Sequence, residues 1–404
     1  MDAGAPDTHP SDAAPADAGA CTPLVAQRVA SGMTFTCAIR TDTTVVCWGA
    51  AYGLSVGPTP CDATGTPCAL APRIVVLEGS STPLSNVIDV QCGDDFACAL
   101  TSTHEVRCWG RNYDAMLGAT GDGIVGARQA TDAMGVPITD ATAIAVGADH
   151  ACALRSGSRV QCWGQNAAGE LGDGTAGTSA RVEATAIESV GAIDAIMAMS
   201  TSTCVVDAAM HQLHCLGSNA TAELGLPTST TSSTSLVTLA QVTFDTAAPV
   251  LSGGIGGACA IDPMGHPECW GTNAGEFLGR NPTSGTPDPS PAIIYGPASA
   301  STFTALFGGA TRTSNCGVTT TGDLDCWGEN DVGQVGIDPA ISGGGSAVTR
   351  LTSVPPMQSG SCADHCCGVT TSGEVWCWGA NDYGQLGRGT TSTPAWQPAP
   401  ACGP

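Results

Sequence analysis

The sequence predicts an all-β fold, a seven-bladed β-propeller with four-stranded antiparallel blades that are linked internally by disulfides. One motif, two cysteines about ten residues apart followed by Trp-Gly or a close variant, occurs seven times in 404 residues. The second cysteines of successive copies lie 51 to 61 residues apart, and each copy consists of short apolar segments and Gly-rich turns. A repeat of this period and composition is typical of a propeller.

Each cysteine pair is expected to form a disulfide across a β-hairpin. In the third copy, residues 151–154 and 160–163 are predicted strands joined by a short turn, which places Cys152 opposite Cys162. Directly opposite residues have Cβ atoms about 4.5–5.5 Å apart, within reach of a disulfide. Zinc sites instead use cysteines two to four residues apart in paired clusters, so we interpret the pairs as disulfides. The predicted hairpin pairs are Cys37–Cys47, Cys98–Cys108, Cys152–Cys162, Cys204–Cys215, Cys259–Cys269, Cys316–Cys326 and Cys367–Cys377.

The remaining strands of a repeat follow from the same copy. Residues 141–146 form an apolar segment before the hairpin, and a fourth strand is predicted near 181–187. Side chains alternate along a strand, so Trp163 points to the face of the sheet opposite Cys162. We therefore expect the disulfides to line one face of each blade and the tryptophans to pack against the next blade.

Two cysteines flank the whole set of repeats. Cys21 precedes the first strand of copy one, and Cys402 follows the last strand of copy seven. Between consecutive repeats the same junction is a short peptide linker. We predict that a Cys21–Cys402 disulfide closes the ring where no peptide bond can.

Five further cysteines lie outside the hairpin pairs. Cys61 and Cys68 are predicted to link the long insertion of copy one. The sequence leaves the pairing of Cys92, Cys362 and Cys366 open; one arrangement is a Cys362–Cys366 disulfide, which leaves Cys92 without a partner. We interpret Cys92 as a buried, inert thiol, with a reactive catalytic thiol as the alternative.

The charge of the chain excludes several classes of partner. Lysine is absent, and 13 arginines stand against 36 acidic residues, for a net charge of -23. Binding to nucleic acid needs clustered basic residues, so we expect no nucleic-acid partner and no anionic membrane. The 21 cysteines indicate an oxidising compartment, and no apolar run is long enough to span a membrane.

Residues 1–20 differ in composition from the repeats. They are rich in Ala, Asp, Pro and Gly and contain no aromatic residue, which predicts a disordered linker or tether. Residues 21–404 are expected to form one domain, the propeller. No signal-peptide pattern opens the chain, and we expect that one has been removed from a secreted or surface-tethered protein, such as a bacterial lipoprotein.

The pattern Cys-Ala-Leu, then Cys-Trp-Gly-x-Asn-x-x-Gly-Gln-Leu-Gly-x-Gly-Thr, is similar to the repeat of the regulator-of-chromosome-condensation family. The clearest copies are residues 147–175 and 367–390, and the resemblance covers about residues 24–402. It implies a seven-bladed propeller, and the flanking cysteines resemble the secreted bacterial branch of the family. Copy four departs from the pattern, with Leu216 in place of Trp and one extra hairpin residue.

The resemblance implies binding functions. Eukaryotic members act on chromatin and a small GTPase through basic residues that this chain lacks, so we do not carry that role over. A secreted bacterial member inhibits β-lactamases through loops on one face of the ring. Shared fold alone does not transfer either activity.

No motif for catalysis, metal binding or cofactor binding stands out. The chain contains no P-loop, no His-Glu-x-x-His motif and no Gly-x-Ser-x-Gly motif. His150 and His365 each follow an aspartate, Asp149 and Asp364, and would be candidate acid–base pairs. Both occupy the same repeat position, so we interpret them as structural hydrogen-bonding residues. We assign no catalytic residue, metal ligand or cofactor.

Aromatic residues single out one part of the ring. Three of the four tyrosines, Tyr52, Tyr113 and Tyr383, lie in the turn just after Trp-Gly. They belong to copies one, two and seven, which are neighbours in a closed ring. Asp114 and Asp382 adjoin two of them. Because tyrosine is enriched in binding hot spots, these five residues predict a patch that binds a protein or a glycan. The alternative is that the tyrosines only cover turn backbone.

The sequence thus favours a secreted or surface-tethered, non-enzymatic binding module, with inhibitor or adhesin as specific forms, and we expect a monomer. Two alternatives remain open. One is an extracellular enzyme with a site on the ring face or in the central channel. The other is a structural surface component that associates with itself.

Overall fold

The computed structural model describes most of the repeat region. The described residues are 21–50, 59–60, 67–119, 123–177, 180–244, 249–280, 285–294, 302–309, 311–342, 345–392 and 394–403. They form seven antiparallel sheets that follow one another along the chain. The fold is the predicted seven-bladed β-propeller.

The blades are numbered in chain order, and their strands are β1 to β29. Blades 1 to 4 contain β1 (Ala26–Ser31), β2 (Phe35–Arg40), β3 (Val45–Ala50), β4 (Thr59–Pro60), β5 (Pro67–Ile74); β6 (Val87–Cys92), β7 (Phe96–Thr101), β8 (Val106–Asn112), β9 (Gly123–Gln129); β10 (Ala141–Val146), β11 (His150–Arg155), β12 (Arg159–Gly164), β13 (Ala180–Glu183); and β14 (Ile193–Met199), β15 (Ser202–Asp207), β16 (Gln212–Ser218), β17 (Ser232–Thr243). Blades 5 to 7 contain β18 (Leu251–Gly254), β19 (Gly257–Ile261), β20 (Pro267–Gly271), β21 (Asp288–Ile293); β22 (Phe303–Phe307), β23 (Ser314–Thr319), β24 (Leu324–Glu329), β25 (Gly345–Leu351); and β26 (Met357–Cys362), β27 (His365–Thr370), β28 (Val375–Gly379), β29 (Ala395–Pro400).

Two details differ from the four-strand pattern expected for every repeat. In blade 1 a two-residue strand, β4, adds to the outer edge beside β5. In blade 3 the fourth strand ends at Glu183, and the rest of the predicted segment is a short helix, α1 (Thr185–Glu188). The other short helices are a 3-10 turn at Ala274–Glu276 and α2 (Pro339–Ser342).

The first strand of every blade lines a central channel. A cavity of about 630 Å³ runs along these seven strands. Its wall consists mainly of small and aliphatic side chains, with Arg28, Asp89 and Asp194 as the charged residues. Arg28 and Asp89 form an ion pair of 3.2 Å between blades 1 and 2.

The seven hydrophobic cores of the described residues lie between neighbouring blades. Each contains the hairpin disulfide of one blade and the residue after the second motif cysteine of the following blade. The pairs are Cys37–Cys47 with Trp109, Cys98–Cys108 with Trp163, Cys152–Cys162 with Leu216, Cys204–Cys215 with Trp270, Cys259–Cys269 with Trp327, Cys316–Cys326 with Trp378, and Cys367–Cys377 with Trp48. All seven predicted hairpin disulfides are formed. The expected direction of packing was wrong, because each tryptophan contacts the preceding blade.

Five of the six buried tryptophans also form a hydrogen bond across the blade interface through the indole N–H. Trp163 Nε1 donates to the carbonyl oxygen of Met116 in the preceding blade at 2.9 Å. Blade 4 has Leu216 at this position and therefore no indole donor. There the Thr203 hydroxyl donates to the Glu170 carbonyl oxygen at 2.7 Å, which satisfies the equivalent acceptor. In blade 1 the corresponding Thr36 hydroxyl and the Trp48 indole both donate to the Gln385 carbonyl oxygen, so blade 4 keeps the threonine bond and lacks only the indole bond.

The glycine after each tryptophan has a backbone role. Gly164 adopts φ +104°, a conformation that residues with a side chain rarely adopt. A Cβ on Gly164 would lie 2.4 Å from the carbonyl oxygen of Asp149. The motif therefore requires glycine because the third strand of the blade passes close to the loop between the first two strands.

The ring is closed by a disulfide between Cys21 and Cys402, as predicted. The backbone at this junction copies a normal interblade linker. Leu24 N donates to Ala401 O at 2.8 Å, just as Leu84 N donates to Val75 O at 2.8 Å between blades 1 and 2. The disulfide thus replaces a peptide connection in an otherwise regular ring.

The remaining cysteines follow the predicted pairing where the structure describes them. Cys362 and Cys366 form a disulfide, and Cys92 is the free cysteine among the described residues. Cys68 is disulfide-bonded, whereas its predicted partner Cys61 lies outside the described residues. Cys92 is buried, and burial raises the pKa of its thiol far above the ordinary value. Such a thiol is a poor nucleophile, which agrees with an inert cysteine.

Removal of the closing disulfide should destabilise the ring much more than removal of a short-range one. The Cys21–Cys402 bond has a sequence separation of 381, against 4 for Cys362–Cys366. On the chain-entropy model the two losses are at most about 6 and about 2 kcal/mol. We expect Cys21→Ala/Cys402→Ala to lower the urea midpoint more than Cys362→Ala/Cys366→Ala. Equal midpoints for the two double variants would contradict this account of closure.

A new disulfide should form in blade 2 on a single substitution. Cys92 pairs in register with Ala97, and Cys362 pairs in the same way with Cys366 in blade 7. In Ala97→Cys we therefore expect Cys92 to form a disulfide with the introduced thiol. Thiol titration of the denatured variant should detect one free thiol fewer than in the unsubstituted protein, although a cysteine has been added. Peptide mapping should show the cross-link. A variant with an additional free thiol would show that the two positions are not equivalent.

Candidate functional site

The connections of the blades emerge on two faces. Since neighbouring strands are antiparallel, the loop between the first and second strands and the turn between the third and fourth strands leave on the same side. We call this side the upper face. The hairpin turns between the second and third strands form the lower face. Tyr113, Asp114, Asp382 and Tyr383 all belong to the upper face.

A pocket of about 390 Å³ opens on the upper face between blades 2 and 3. Tyr113, Asp114 and Met116 line it from the turn that follows β8. Asp149, from the first loop of blade 3, and Gln165, which follows β12, line it from the other side. Tyr113 is 42% exposed, so its ring is available at the surface. We refer to this cavity as the blade 2–3 pocket.

The turn that carries Tyr113 lacks a side-chain cap present in other blades. In blade 3 the Glu170 carboxylate accepts hydrogen bonds from the Ala167 and Ala168 amides at 3.2 and 2.7 Å. The equivalent residue in blade 2 is Met116, whose side chain is buried in the interblade core. In the described part of the chain, no side chain accepts from the amides of Tyr113 and Asp114. These two donors lie at the edge of the blade 2–3 pocket.

The same turn has an unusual backbone conformation. Asp114 and Ala115 have φ of 50° and 60°, the left-handed region, although neither is glycine. Ala115 stands where blade 3 has Gly169, and a non-glycine residue there costs about 1 kcal/mol or more. The strained pair thus occurs in the turn that lines the pocket.

Arg111 holds the Tyr113 ring in place. Its guanidinium carbon lies 4.0 Å from the ring centroid, a cation–π contact. The same guanidinium donates to the Asp95 carboxylate at 3.0 Å. The Arg111 guanidinium therefore already has two partners, the Tyr113 ring and the Asp95 carboxylate.

Burial and neighbouring negative charges disfavour the ionised form of Asp94 and Asp149. The Asp149 carboxylate has no hydrogen-bond or ion-pair partner among the described residues. Burial, together with the charges of Asp95 and Asp114, raises its pKa above the ordinary range. Burial and the charge of Asp149, with smaller effects from Asp95 and Asp364, raise the pKa of nearby Asp94 to about 7. The surroundings of the pocket thus favour a cation.

The two histidines that follow aspartates have a structural role, as interpreted from the sequence. The Thr203 hydroxyl donates to Glu170, so it accepts from His150 Nε2 at 2.9 Å across the interface of blades 3 and 4. His365 Nε2 lies 2.5 Å from the Thr36 hydroxyl at the ring closure. Burial lowers the pKa of His150 to about 4 and that of His365 to about 3, so both are neutral at pH 7.

The predicted binding residues are only partly brought together. Tyr113 and Asp114 share the blade 2–3 pocket. Asp382 is exposed and Tyr383 half-buried in the equivalent turn of blade 7, outside that pocket. Tyr52 lies outside the described residues.

Sequence reasoning missed three pocket residues, Met116, Asp149 and Gln165. Asp149 was considered only as a partner of the next residue, and Gln165 was not considered at all. Both immediately adjoin repeat positions that mark the upper face: Gln165 follows Trp-Gly, and Asp149 ends the loop between the first two strands. A comparison of the residues that neighbouring repeats place on the upper face could have found them.

The structure also bears on metal binding and membrane insertion. Among the described residues, the single group of three potential metal ligands is Cys316, Cys362 and Cys366, and all three are in disulfides. This supports the disulfide interpretation of the cysteines over a zinc site. Across the described ranges, no helix has the length and apolar character needed to cross a bilayer.

Comparison with known proteins agrees with the repeat pattern. Residues 87–114, 141–170 and 363–385 match the family described as the Regulator of chromosome condensation (RCC1) repeat. The repeats are RCC1-like. Human E3 ubiquitin-protein ligase HERC2 is 32% identical over 145 residues, which is 36% of this chain and 3% of that protein. Mouse Protein RCC2 is 58% identical over 38 residues, which is 9% of this chain and 7% of that protein. The matches thus span only a few per cent of these curated relatives.

A solved structure has a similar fold. The crystal structure of human WBSCR16 superposes with a TM-score of 0.66 and covers 85% of this chain and 86% of the other. Its sequence identity is 20%, so the likeness concerns the fold alone.

Substitution of Asp94 should stabilise the propeller at neutral and alkaline pH. Its folded pKa is about 7 against 3.8 for the free group, so ionisation opposes folding as pH rises through this interval. We expect Asp94→Asn to raise the free energy of unfolding by about 1–2 kcal/mol at pH 8. The difference should nearly vanish near pH 3, where the carboxyl is mostly protonated in both states. Thermal melts at the two pH values check this, and an equal shift at both would contradict it.

Proposed function

We propose that this chain is a secreted or surface-tethered, non-enzymatic module that binds another protein through the upper face of its propeller. The observation that carries the proposal is the blade 2–3 pocket. It brings together an exposed tyrosine with turn amides and a carboxylate that have no side-chain partner in the described part of the chain. Such groups are suited to recognition, since each can gain a partner on binding.

Three further features support the proposal. RCC1-like propellers are compatible with protein-binding modules, and blade turns on a rigid ring form a stable surface for loops that bind. The disulfides are consistent with an extracellular protein. The two histidines with aspartate neighbours are buried hydrogen-bonding residues, which removes the acid–base pairs that the sequence offered. A role as inhibitor or adhesin is a specific form of the same proposal.

Site-specific cross-linking tests which face binds. A photoreactive phenylalanine is placed at Asp114 on the upper face or at Met264, a 69% exposed residue in a lower-face turn. Each protein is irradiated with surface and secreted fractions of the source organism, and cross-linked proteins are identified. The captured protein is then purified and its affinity measured. We expect cross-linking from position 114 and little from position 264.

The affinity measurement includes a matched pair of variants. Tyr113→Ala/Asp114→Ala should weaken binding of the purified partner at least tenfold, whereas Met264→Ala should leave it unchanged. Equal cross-linking from both faces, or affinity insensitive to the upper-face variant, would refute the proposed function. Binding of a glycan array with the same dependence on Tyr113 would replace the protein partner by a glycan.

A further inference from the structure

We propose that the blade 2–3 pocket binds an arginine side chain of the protein partner. This inference rests on the proposed function and narrows it, because it requires a partner segment with an exposed basic residue. The pocket volume of about 390 Å³ lies within the range of about 300–1,000 Å³ typical of sites that enclose a small ligand. One long side chain therefore fits without rearrangement of the blades.

Charge complementarity identifies the occupant as a cation. Asp149 reaches the pocket from blade 3 and Asp114 from blade 2, so carboxylates lie on both sides. The partly buried Asp149 carboxylate lacks a partner among the described residues, and an unpaired carboxylate taken from water is unfavourable. Arg111 does not serve it, because its guanidinium bonds to Asp95 and stacks on Tyr113. A guanidinium from outside would supply the missing donors.

The tyrosine favours arginine over lysine. The Arg111 contact at 4.0 Å shows that the Tyr113 ring accepts a guanidinium in this environment. A planar guanidinium stacks on an aromatic ring and binds a carboxylate through two parallel bonds, whereas an ammonium group does neither as well. With 42% of Tyr113 exposed, ring surface remains for a ligand.

The uncapped turn indicates a peptide and not a free cation. In blade 3 the amides of Ala167 and Ala168 are satisfied by Glu170, whereas those of Tyr113 and Asp114, beside Met116, have no side-chain acceptor among the described residues. A metal ion cannot accept these hydrogen bonds. A peptide residue can, because its main-chain carbonyl oxygen is an acceptor close to its own basic side chain. The pocket thus offers groups for both parts of an arginine residue.

The test uses two capped tripeptides of equal size, acetyl-Ala-Arg-Ala-amide and its neutral analogue with citrulline in place of arginine. Met116, one of nine methionines, adjoins the pocket, and selective methyl labelling makes its signal a reporter of binding by NMR. We expect a saturable shift of the Met116 signal with the arginine peptide and at least tenfold weaker binding of the citrulline peptide.

Two isosteric variants locate the effect. Asp149→Asn removes one charge in the pocket and should weaken binding of the arginine peptide about tenfold. Glu276→Gln removes one charge in the upper-face turn of blade 5 and should leave affinity unchanged. A thermal melt confirms that both variants are folded. Equal binding of the two peptides, equal effects of the two variants, or no Met116 shift at 10 mM peptide would each overturn the inference.

The two proposals fail in different ways. A partner that cross-links from position 114 but binds equally well to Asp149→Asn would leave the proposed function standing and refute the arginine pocket. If no partner cross-links from the upper face but the Met116 signal responds specifically to the arginine peptide, the proposed function is refuted and the arginine pocket stands.

Discussion

The propeller depends on one contact that is repeated around the ring, a hairpin disulfide of one blade against the indole of the next. Aromatic residues make up only 4% of the chain, and 53 residues are glycine. Few side chains are therefore large enough to fill the space between two sheets. The tryptophan supplies this volume, and the disulfide beside it supplies a compact apolar surface. At the Leu216 interface the smaller side chain still packs on the Cys152–Cys162 disulfide, and the Thr203 hydroxyl keeps the Glu170 carbonyl oxygen satisfied without an indole donor.

Most of the fold could be predicted because it follows from disulfide bonds and from short repeated sequence motifs. Cysteine spacing fixed the hairpin register, and the position of Cys21 and Cys402 outside the repeats indicated their bond. The direction of tryptophan packing could not be predicted, because alternation along a strand separates two faces but does not say which blade covers each. Residues 185–187 were predicted as the end of a strand, yet they lie in a linker that turns toward the next blade and belong to α1.

The site was predictable only where it belonged to one repeat. Tyr113 and Asp114 stood out by their position after Trp-Gly. Asp149 comes from another blade, and its proximity depends on how two repeats are placed side by side. Met116 is significant because Glu170, at the same position in blade 3, caps the turn amides there and a methionine cannot. The crowding of Asp94, Asp95 and Asp149 opposes folding and is tolerated because disulfides and interblade cores hold the loops on a rigid ring.

The Leu24–Ala401 bond shows that the ring has no distinguished starting blade. Backbone geometry at the disulfide-closed junction equals that of an ordinary linker between blades 1 and 2. Cys21 and Cys402 consequently meet between blades 7 and 1 in the way that neighbouring repeats meet elsewhere in the ring. A circular permutant, joined by a short peptide in place of Cys21–Cys402 and opened in another interblade linker, would keep every blade interface and the blade 2–3 pocket unchanged.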